Sequence, residues 1–257
     1  MILTIDVGNT NTVLSVFDGE VLVFESRINT DSERMADQYA IIFIDIFDLY
    51  KVNPKSLTGG IVSSVVPPVT RQAAWAVENL VGSPPLIVEP GLKTGLHIKL
   101  DDLAAMIGAD LVCGAVAAKT LYKSPCIAID MGTVTKILAI DKEGSLIGGV
   151  ITPGIGNSFR AMSGTTALLP LVGAGEVKKV IGSNTVDCIR SGIMLGSAFM
   201  LDGFIDKFEE EIGKSSIVAT GGFSEMVIPY CRRCDEIALN KSLVSQGMRI
   251  IYEKNRM

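Results

Sequence analysis

The feature that most constrains this chain is a strand-turn-strand unit that occurs twice, with its key aspartates at Asp6 and Asp130. In the first copy an apolar run, Ile2 to Ile5, ends in Asp6-Val7-Gly8-Asn9-Thr10-Asn11-Thr12. Val13 to Phe17, an Asp18-Gly19 turn and Val21 to Phe24 follow. In the second copy Ile127 to Ile129 ends in Asp130-Met131-Gly132-Thr133-Val134-Thr135, followed by Ile137 to Ile140, a turn through Glu143-Gly144, and Leu146-Ile147. Repetition of so particular a unit implies two similar halves, each built around its own sheet. The expectation is an α/β fold of duplicated domains, 1–115 and 116–257, each a mixed sheet flanked by helices.

The turn has a definite chemical use. Gly8 and Gly132 let the backbone approach an anion and present N–H groups, the Thr hydroxyls add donors, and an Asp at a strand end can hold hydrated Mg²⁺. Two copies together fit a nucleoside triphosphate. A third element points the same way: the apolar strand Ile217 to Ala219 ends in Thr220-Gly221-Gly222 before a helix start at Ser224-Glu225. The Gly pair would admit a flat adenine or ribose, and it would equally serve a plain strand-to-helix turn.

Composition excludes several other classes. The chain has 257 residues, 48% of them hydrophobic, so it can bury a large core. A net charge of -5 and no Lys/Arg stripe argue against a nucleic-acid partner. With no basic leader and no apolar stretch expected to span a bilayer, the sequence reads as soluble and cytoplasmic, without a membrane partner. Five scattered cysteines make no disulfide framework; Cys113 and Cys126 read as core thiols, and the lone Cys231-x-x-Cys234 lacks a second pair to complete a zinc site. The single histidine, His97, leaves carboxylates and hydroxyls to do the chemistry.

Helical spacing of Met35, Tyr39, Ile42, Phe43 and Ile46 predicts a packing helix over 33–50, and a second helix is expected over Arg71 to Val81. A third, rich in Ala and Leu, is expected over Leu103 to Leu121. Asp110 is its only interior carboxylate, set between Gly108-Ala109 and Val112-Cys113. Those small and apolar neighbours suit close approach of a substrate, which makes Asp110 a candidate general base and Gly108 a candidate substrate contact. A solvated position on the helix surface is the alternative.

Taken in order, DVGNT (6–10), SSVVPP (63–68), PGLKTGL (90–96), GAD (108–110), DMGT (130–133), GGVITPG (148–154), TALLP (166–170), IGSNT (181–185), SGI with a following Gly (191–196) and ATGG (219–222) span nearly the whole chain. This series resembles the type III pantothenate kinases of the actin-like (ribonuclease H-like) acetate and sugar kinase/Hsp70 superfamily. The resemblance implies transfer of the ATP γ-phosphate to pantothenate, a homodimer, Mg²⁺, and a monovalent cation, K⁺ or NH₄⁺. It further implies that Asp6, Gly8, Asn9 and Thr10 serve phosphate and Mg²⁺, and that Asp110 is the base. Asp130 would hold the monovalent cation, Gly132 and Thr133 would line the phosphate path, Thr185 would lie near the acceptor, and Gly221 and Gly222 near the nucleoside.

The chain departs from that pattern mainly on the acceptor side. GADR reads GADL, so Leu111 replaces an acceptor-binding Arg, and Gly114 replaces an Asn. Leu100, Asp102 and Leu103 stand where a Tyr and an Asn-Pro are common, and DFGTATT reads DMGTVTK, which puts Lys136 where a Thr is expected. Besides pantothenate phosphorylation, the residues leave open a paralogue acting on another small hydroxyl compound and a catalytically weak nucleotide-binding regulator.

Overall fold

A computed structural model describes residues 1–100, 107–164 and 169–256, and in it the duplication is visible strand by strand. In chain order the elements are β1 (Ile2–Val7), β2 (Asn11–Asp18), β3 (Val21–Asn29), α1 (Ala36–Leu49), β4 (Gly59–Ser64), α2 (Pro67–Val81), β5 (Leu86–Ile87), β6 (His97–Ile98) and α3 (Ala109–Leu121). They continue with β7 (Cys126–Met131), β8 (Val134–Ile140), β9 (Ser145–Pro153), α4 (Ile155–Gly164), α5 (Thr185–Ile212), β10 (Ser216–Thr220), α6 (Ser224–Val227), β11 (Ile237–Leu239) and α7 (Leu243–Arg256).

One sheet runs β3-β2-β1-β4-β5 and the other β11-β10-β7-β8-β9-β6. In each, an antiparallel meander (β1-β2-β3, β7-β8-β9) is extended from its first strand by two parallel strands (β4-β5, β10-β11). Among the described residues only β6, added parallel to β9, has no counterpart. Thr12 lies opposite Val7 and Thr135 opposite Met131, so the two Asp turns are equivalent and the first is longer by one residue.

The chain divides into two compact units: Met1–Leu96 with Asp101–Ala117 and Ser242–Met257, and His97–Leu100 with Ala118–Lys241. This differs from the division at 115 in returning α7 to the first unit. The reason is close packing: a Cβ on Gly247 of α7 would fall 1.8 Å from the Cys113 carbonyl oxygen of α3, a contact only glycine allows.

In the first unit Leu3, Ile5 and Val7 of β1 pack with Tyr39, Phe43 and Phe47 of α1 and Val69, Ala73 and Val77 of α2. On the other face Ile61, Cys113, Val116, Met248, Ile251 and Tyr252 form a second apolar layer from β4, α3 and α7. Strand alternation therefore directs Asp6, out of step with Leu3, Ile5 and Val7, toward the α3/α7 face. In the second unit Ile127, Ile129, Met131 and Ile137 pack on Met194, Ala198, Leu201 and Ile205 of α5. Each buried Val, Leu, Ile, Phe or Met among these contributes about 1.5–3 kcal/mol relative to exposure.

Several expectations are adjusted. Met35 is 65% exposed because it is the N-cap of α1, not a member of its inner face. The start of the third helix at Leu103 falls outside the described residues, as do residues 166–168 of the TALLP motif. Ile107 and Gly108 are not helical, and the Gly108 carbonyl accepts from Leu111 and Val112 at the beginning of α3. The expectation of no bilayer-length apolar stretch is corrected: α5 contains an 18-residue window of mean hydropathy 1.3. Its apolar side chains Met194, Leu195, Ala198, Leu201 and Ile205 are buried, so much of that hydropathy belongs to the core.

Candidate active site

In the first unit Asp6 is the penultimate residue of β1, directly beside Ser63 of the parallel strand β4, and the Ser63 hydroxyl donates to Asp6 Oδ1 at 3.0 Å. The turn that follows is latched by Thr30 at the far end of the meander. Its hydroxyl donates to the Gly8 carbonyl at 2.7 Å, its backbone N–H to the Thr10 carbonyl at 3.0 Å, and Gly8 N–H closes on Asn11 O at 2.9 Å. Asn9 and Thr10 are thereby held out at the exposed tip.

Asp110 lies in the first turn of α3, where a negative charge complements the helix N-terminus, and its Oδ1 accepts from Leu111 N–H at 2.8 Å. Its carboxylate folds back over Gly108, whose missing Cβ would lie 2.5 Å from Oδ1. One turn along, the fully buried Cys113 thiol is pushed well above its ordinary range by burial and then by the Asp6 carboxylate. A Ser63 hydrogen bond works against the rise, and Asp110 adds to it. Two carboxylates 104 positions apart in sequence thus bear on one buried thiol.

In the second unit Asp130 is the penultimate residue of β7, and the Lys136 ammonium from β8 stands 3.2 Å from its Oδ2. The Gly132-Thr133 turn is held by Asn157 of α4, whose side-chain amide donates to the Thr133 carbonyl at 2.7 Å. The Gly221-Gly222 turn after β10 rests on this loop. Gly221 has φ +92°, a Cβ there would lie 2.5 Å from the Met131 carbonyl carbon, and Phe223 N–H donates to Met131 O at 3.3 Å. The close approach this glycine permits is therefore to the backbone of the second Asp turn, and the strand-to-helix turn is present as well, with Ser224 Oγ donating to Gly221 O at 2.7 Å. Both loops leave the C-terminal ends of adjacent parallel strands, where ligand crevices of open α/β sheets form.

Thr185 begins α5, after the Asn184 N-cap that accepts from Asp187 N–H at 2.9 Å. A pocket of about 380 Å³ beside it is lined by Lys178, Lys179, Asp187 and Arg190, among others. The structure brings Asp6, Gly8, Gly108 and Asp110 into the first unit and Asp130, Gly132, Thr133, Thr185, Gly221 and Gly222 into the second. Sequence reasoning gave Ser63 and Thr30 no role. Ser63 lay within the quoted SSVVPP motif; nothing local marked Thr30.

Cys126 and Cys231 are buried thiols pushed up to about 12 by burial, and all five cysteines are free. His97 Nδ1 lies 3.4 Å from Ser145 Oγ. Among the described residues no group of three His, Cys, Asp or Glu side chains could hold a metal ion unaided.

Paired sheets of this topology, each carrying an Asp turn, define the actin-like ATPase and sugar kinase fold. Solved structures agree at the level of fold. A Campylobacter jejuni protein of the Baf family matches with TM-score 0.61 at 18% identity over 99% of this chain and 98% of that one. The ADPNP-bound activator of the 2-hydroxyisocaproyl-CoA dehydratase from Clostridium difficile matches with TM-score 0.57 at 11% identity over 99% and 94%.

The sequence profile described as type III pantothenate kinase matches residues 2–207. Type III pantothenate kinases from an Exiguobacterium species and from Moorella thermoacetica are each 36% identical over 256 residues, covering 100% and 99% of this chain and all of theirs. The chain belongs to the type III pantothenate kinase family.

Proposed function

We propose that this protein transfers the γ-phosphate of ATP to the primary hydroxyl of pantothenate, giving 4'-phosphopantothenate, the first step toward coenzyme A. The observation that carries the reading is the full-length match to type III pantothenate kinases, in a chain whose first unit holds both Asp6, oriented by Ser63 near the end of β1, and Asp110, in the first turn of α3.

Phosphoryl transfer needs positioning and charge neutralisation more than a strong nucleophile. Asp110 accepts the hydroxyl proton as the acceptor oxygen bonds to the γ-phosphorus and the phosphorus–oxygen bond to the departing ADP breaks, with Gly108 leaving room for the Asp110 carboxylate beside the acceptor. N–H groups of Asn9 and Thr10, in a turn that Gly8 opens to an anion, and of Gly132 with the Thr133 hydroxyl in the other, bind phosphate oxygens. Gly221 and Gly222 serve the nucleoside and Thr185 the acceptor. Asp6 is a half-buried carboxylate whose Oδ1 is oriented by Ser63, a hard oxygen donor that fits water-mediated Mg²⁺. When bound, Mg²⁺ neutralises charge on the β- and γ-phosphates.

The finer assignments have their own support. An exposed stripe of α5 carries Gly192, Gly196, Phe199 and Gly203, with open space over all three glycines. Such a stripe allows close approach of a second copy, in keeping with a homodimer. Free thiols and an acidic chain are in keeping with a cytoplasmic enzyme that has no nucleic-acid partner.

The test is ATP turnover with pantothenate and a panel of other hydroxy acids, product masses read by mass spectrometry, alongside ATP-binding calorimetry. Appearance of 4'-phosphopantothenate supports the reading. Transfer only to another hydroxy acid would replace it with the paralogue, and ATP binding without transfer would replace it with the regulator.

A further inference from the structure

The two Asp turns hold equivalent places in their sheets and differ in what faces their carboxylate. Across from Asp6 the antiparallel neighbour is Val13, an apolar residue; across from Asp130 it is Lys136. On the parallel side the contrast is reinforced. Ser63 opposite Asp6 donates to it, whereas Thr220 opposite Asp130 turns its hydroxyl to the Lys241 carbonyl at 3.2 Å.

Direct cross-strand neighbours on one face meet without any rearrangement of backbone. The Lys136 ammonium stands 3.2 Å from Asp130 Oδ2, and the two side chains are only 12% and 26% exposed. The strand that carries Lys136 is paired on both sides, with β7 and β9, so its position is set by the sheet. Gly132 of the phosphate turn lies directly over the same carboxylate, its absent Cβ 3.5 Å from Asp130 Oδ1.

A free monovalent cation at Asp130, as the resemblance implies, does not fit this donor set, because it would share one carboxylate with a like charge already in contact. We propose that the Lys136 ammonium is a tethered monovalent cation of the second phosphate turn, so that this protein binds and uses ATP without K⁺ or NH₄⁺. An ammonium has three N–H donors; it can bond the Asp130 carboxylate and still present a donor to a phosphate oxygen. Lys136 is a positioning residue for ATP in this account, which rests on the reading that the second turn receives phosphate.

The experiment compares KCl with tetramethylammonium chloride at equal ionic strength and fixed Mg²⁺, for the unmodified protein and for Lys136→Thr and Lys136→Arg. Thermal unfolding without nucleotide comes first. The parent and Lys136→Arg melt at the same temperature in both salts, and Lys136→Thr melts higher in KCl, because the vacated carboxylate now takes K⁺. ATP calorimetry and turnover come second. The parent is indifferent to the salt, while Lys136→Thr binds ATP about 10- to 100-fold more weakly in tetramethylammonium, the loss of one charge-assisted contact, and recovers in KCl. A parent whose melting temperature, ATP affinity or turnover rises with K⁺ overturns the proposal. So does a Lys136→Thr variant that behaves as the parent in both salts. Absence of ATP binding in every protein and salt would sink the ATP reading alone, with the nucleotide-free melting still deciding the cation.

Discussion

Replacing Gly221 by Ala tests whether the third loop is held by the backbone of the second. Gly221 adopts φ +92°, and the added methyl would sit 2.5, 2.6 and 2.7 Å from the C, N and O atoms of Met131. The left-handed backbone costs an L-residue about 1–2 kcal/mol. Relieving the overlap requires the β10 turn to move away from Met131, and forced repacking of this kind costs about 1–3 kcal/mol more. For a total near 3 kcal/mol, melting should fall by roughly 6–12 °C in a chain of this size. Because Met131 lies between Asp130 and Gly132, the displaced turn should also weaken ATP binding, by about tenfold or more if one phosphate contact is lost. Gly173, which is exposed and has no atom within 4 Å of the place a methyl would occupy, provides the control. Gly173→Ala should stay within about 0.5 kcal/mol of the parent. Differential scanning calorimetry and ATP titration of the two variants decide the matter: if Gly221→Ala melts with the control and binds ATP normally, the loops are not locked through this contact.

Asp110→Asn should lower phosphoryl transfer by about 10²- to 10⁴-fold with ATP affinity nearly unchanged, the usual contribution of a general base; Asp6→Asn should instead weaken Mg-ATP binding in calorimetry, and identical behaviour of the two variants would dissolve the division of roles. Leu111→Arg should lower the Michaelis constant for pantothenate by about 10- to 100-fold by restoring a charge-assisted bond to its carboxylate, so an unchanged constant in steady-state assays would point to another acceptor. Arg233 is 9% exposed and pairs with Glu209 and Glu236, so Arg233→Ala should cost about 2 kcal/mol in urea unfolding, less than a fully buried pair because Glu236 remains half-exposed. Its Arg233 hydrogen bond holds Glu236 at about 2, below the ordinary 4.5, and Glu209, which burial alone would raise, is also lowered by Arg233. Depressed carboxylates stabilise the fold above their unfolded pKa and lose that contribution as pH falls through the folded one. The parent should therefore lose stability from about pH 4.5 toward pH 2 in acid unfolding, and Arg233→Ala should show a flatter slope over that interval.

The duplicated turns were legible because every residue that defines them is local: the apolar run, Asp, Gly and Thr occur within a dozen positions, and the hairpin register follows from them. Asp110 stood out for the same reason, as a lone carboxylate among small and apolar neighbours. What was not legible depends on partners distant in sequence. Nothing near Thr30 announces that it latches Gly8 and Thr10, and nothing near Ser63 announces Asp6, until β3 and β4 take their places. The 28-residue helix α5 escaped notice because Gly192, Gly196 and Gly203 blur its apolar period, each helical glycine costing about 1 kcal/mol relative to Ala. Buried contacts of Met194, Ala198, Leu201 and Ile205 offset that cost, and they exist only after the second sheet has formed.

The return of α7 to the first unit gives synthesis on the ribosome a particular order. β1 to β5 emerge early, yet the apolar layer over the Asp6 face needs Met248, Ile251 and Tyr252, which follow every residue of the second unit. A chain that has emerged as far as Lys241 holds every strand from β7 to β11, while Cys113 still lacks the helix that Gly247 brings against it. Closing that gap late makes the first unit a high-contact-order assembly, slow to finish and open to the solvent meanwhile. The half that is translated first is thus the half that folds to completion last, and its carboxylates acquire their final surroundings only when α7 has emerged.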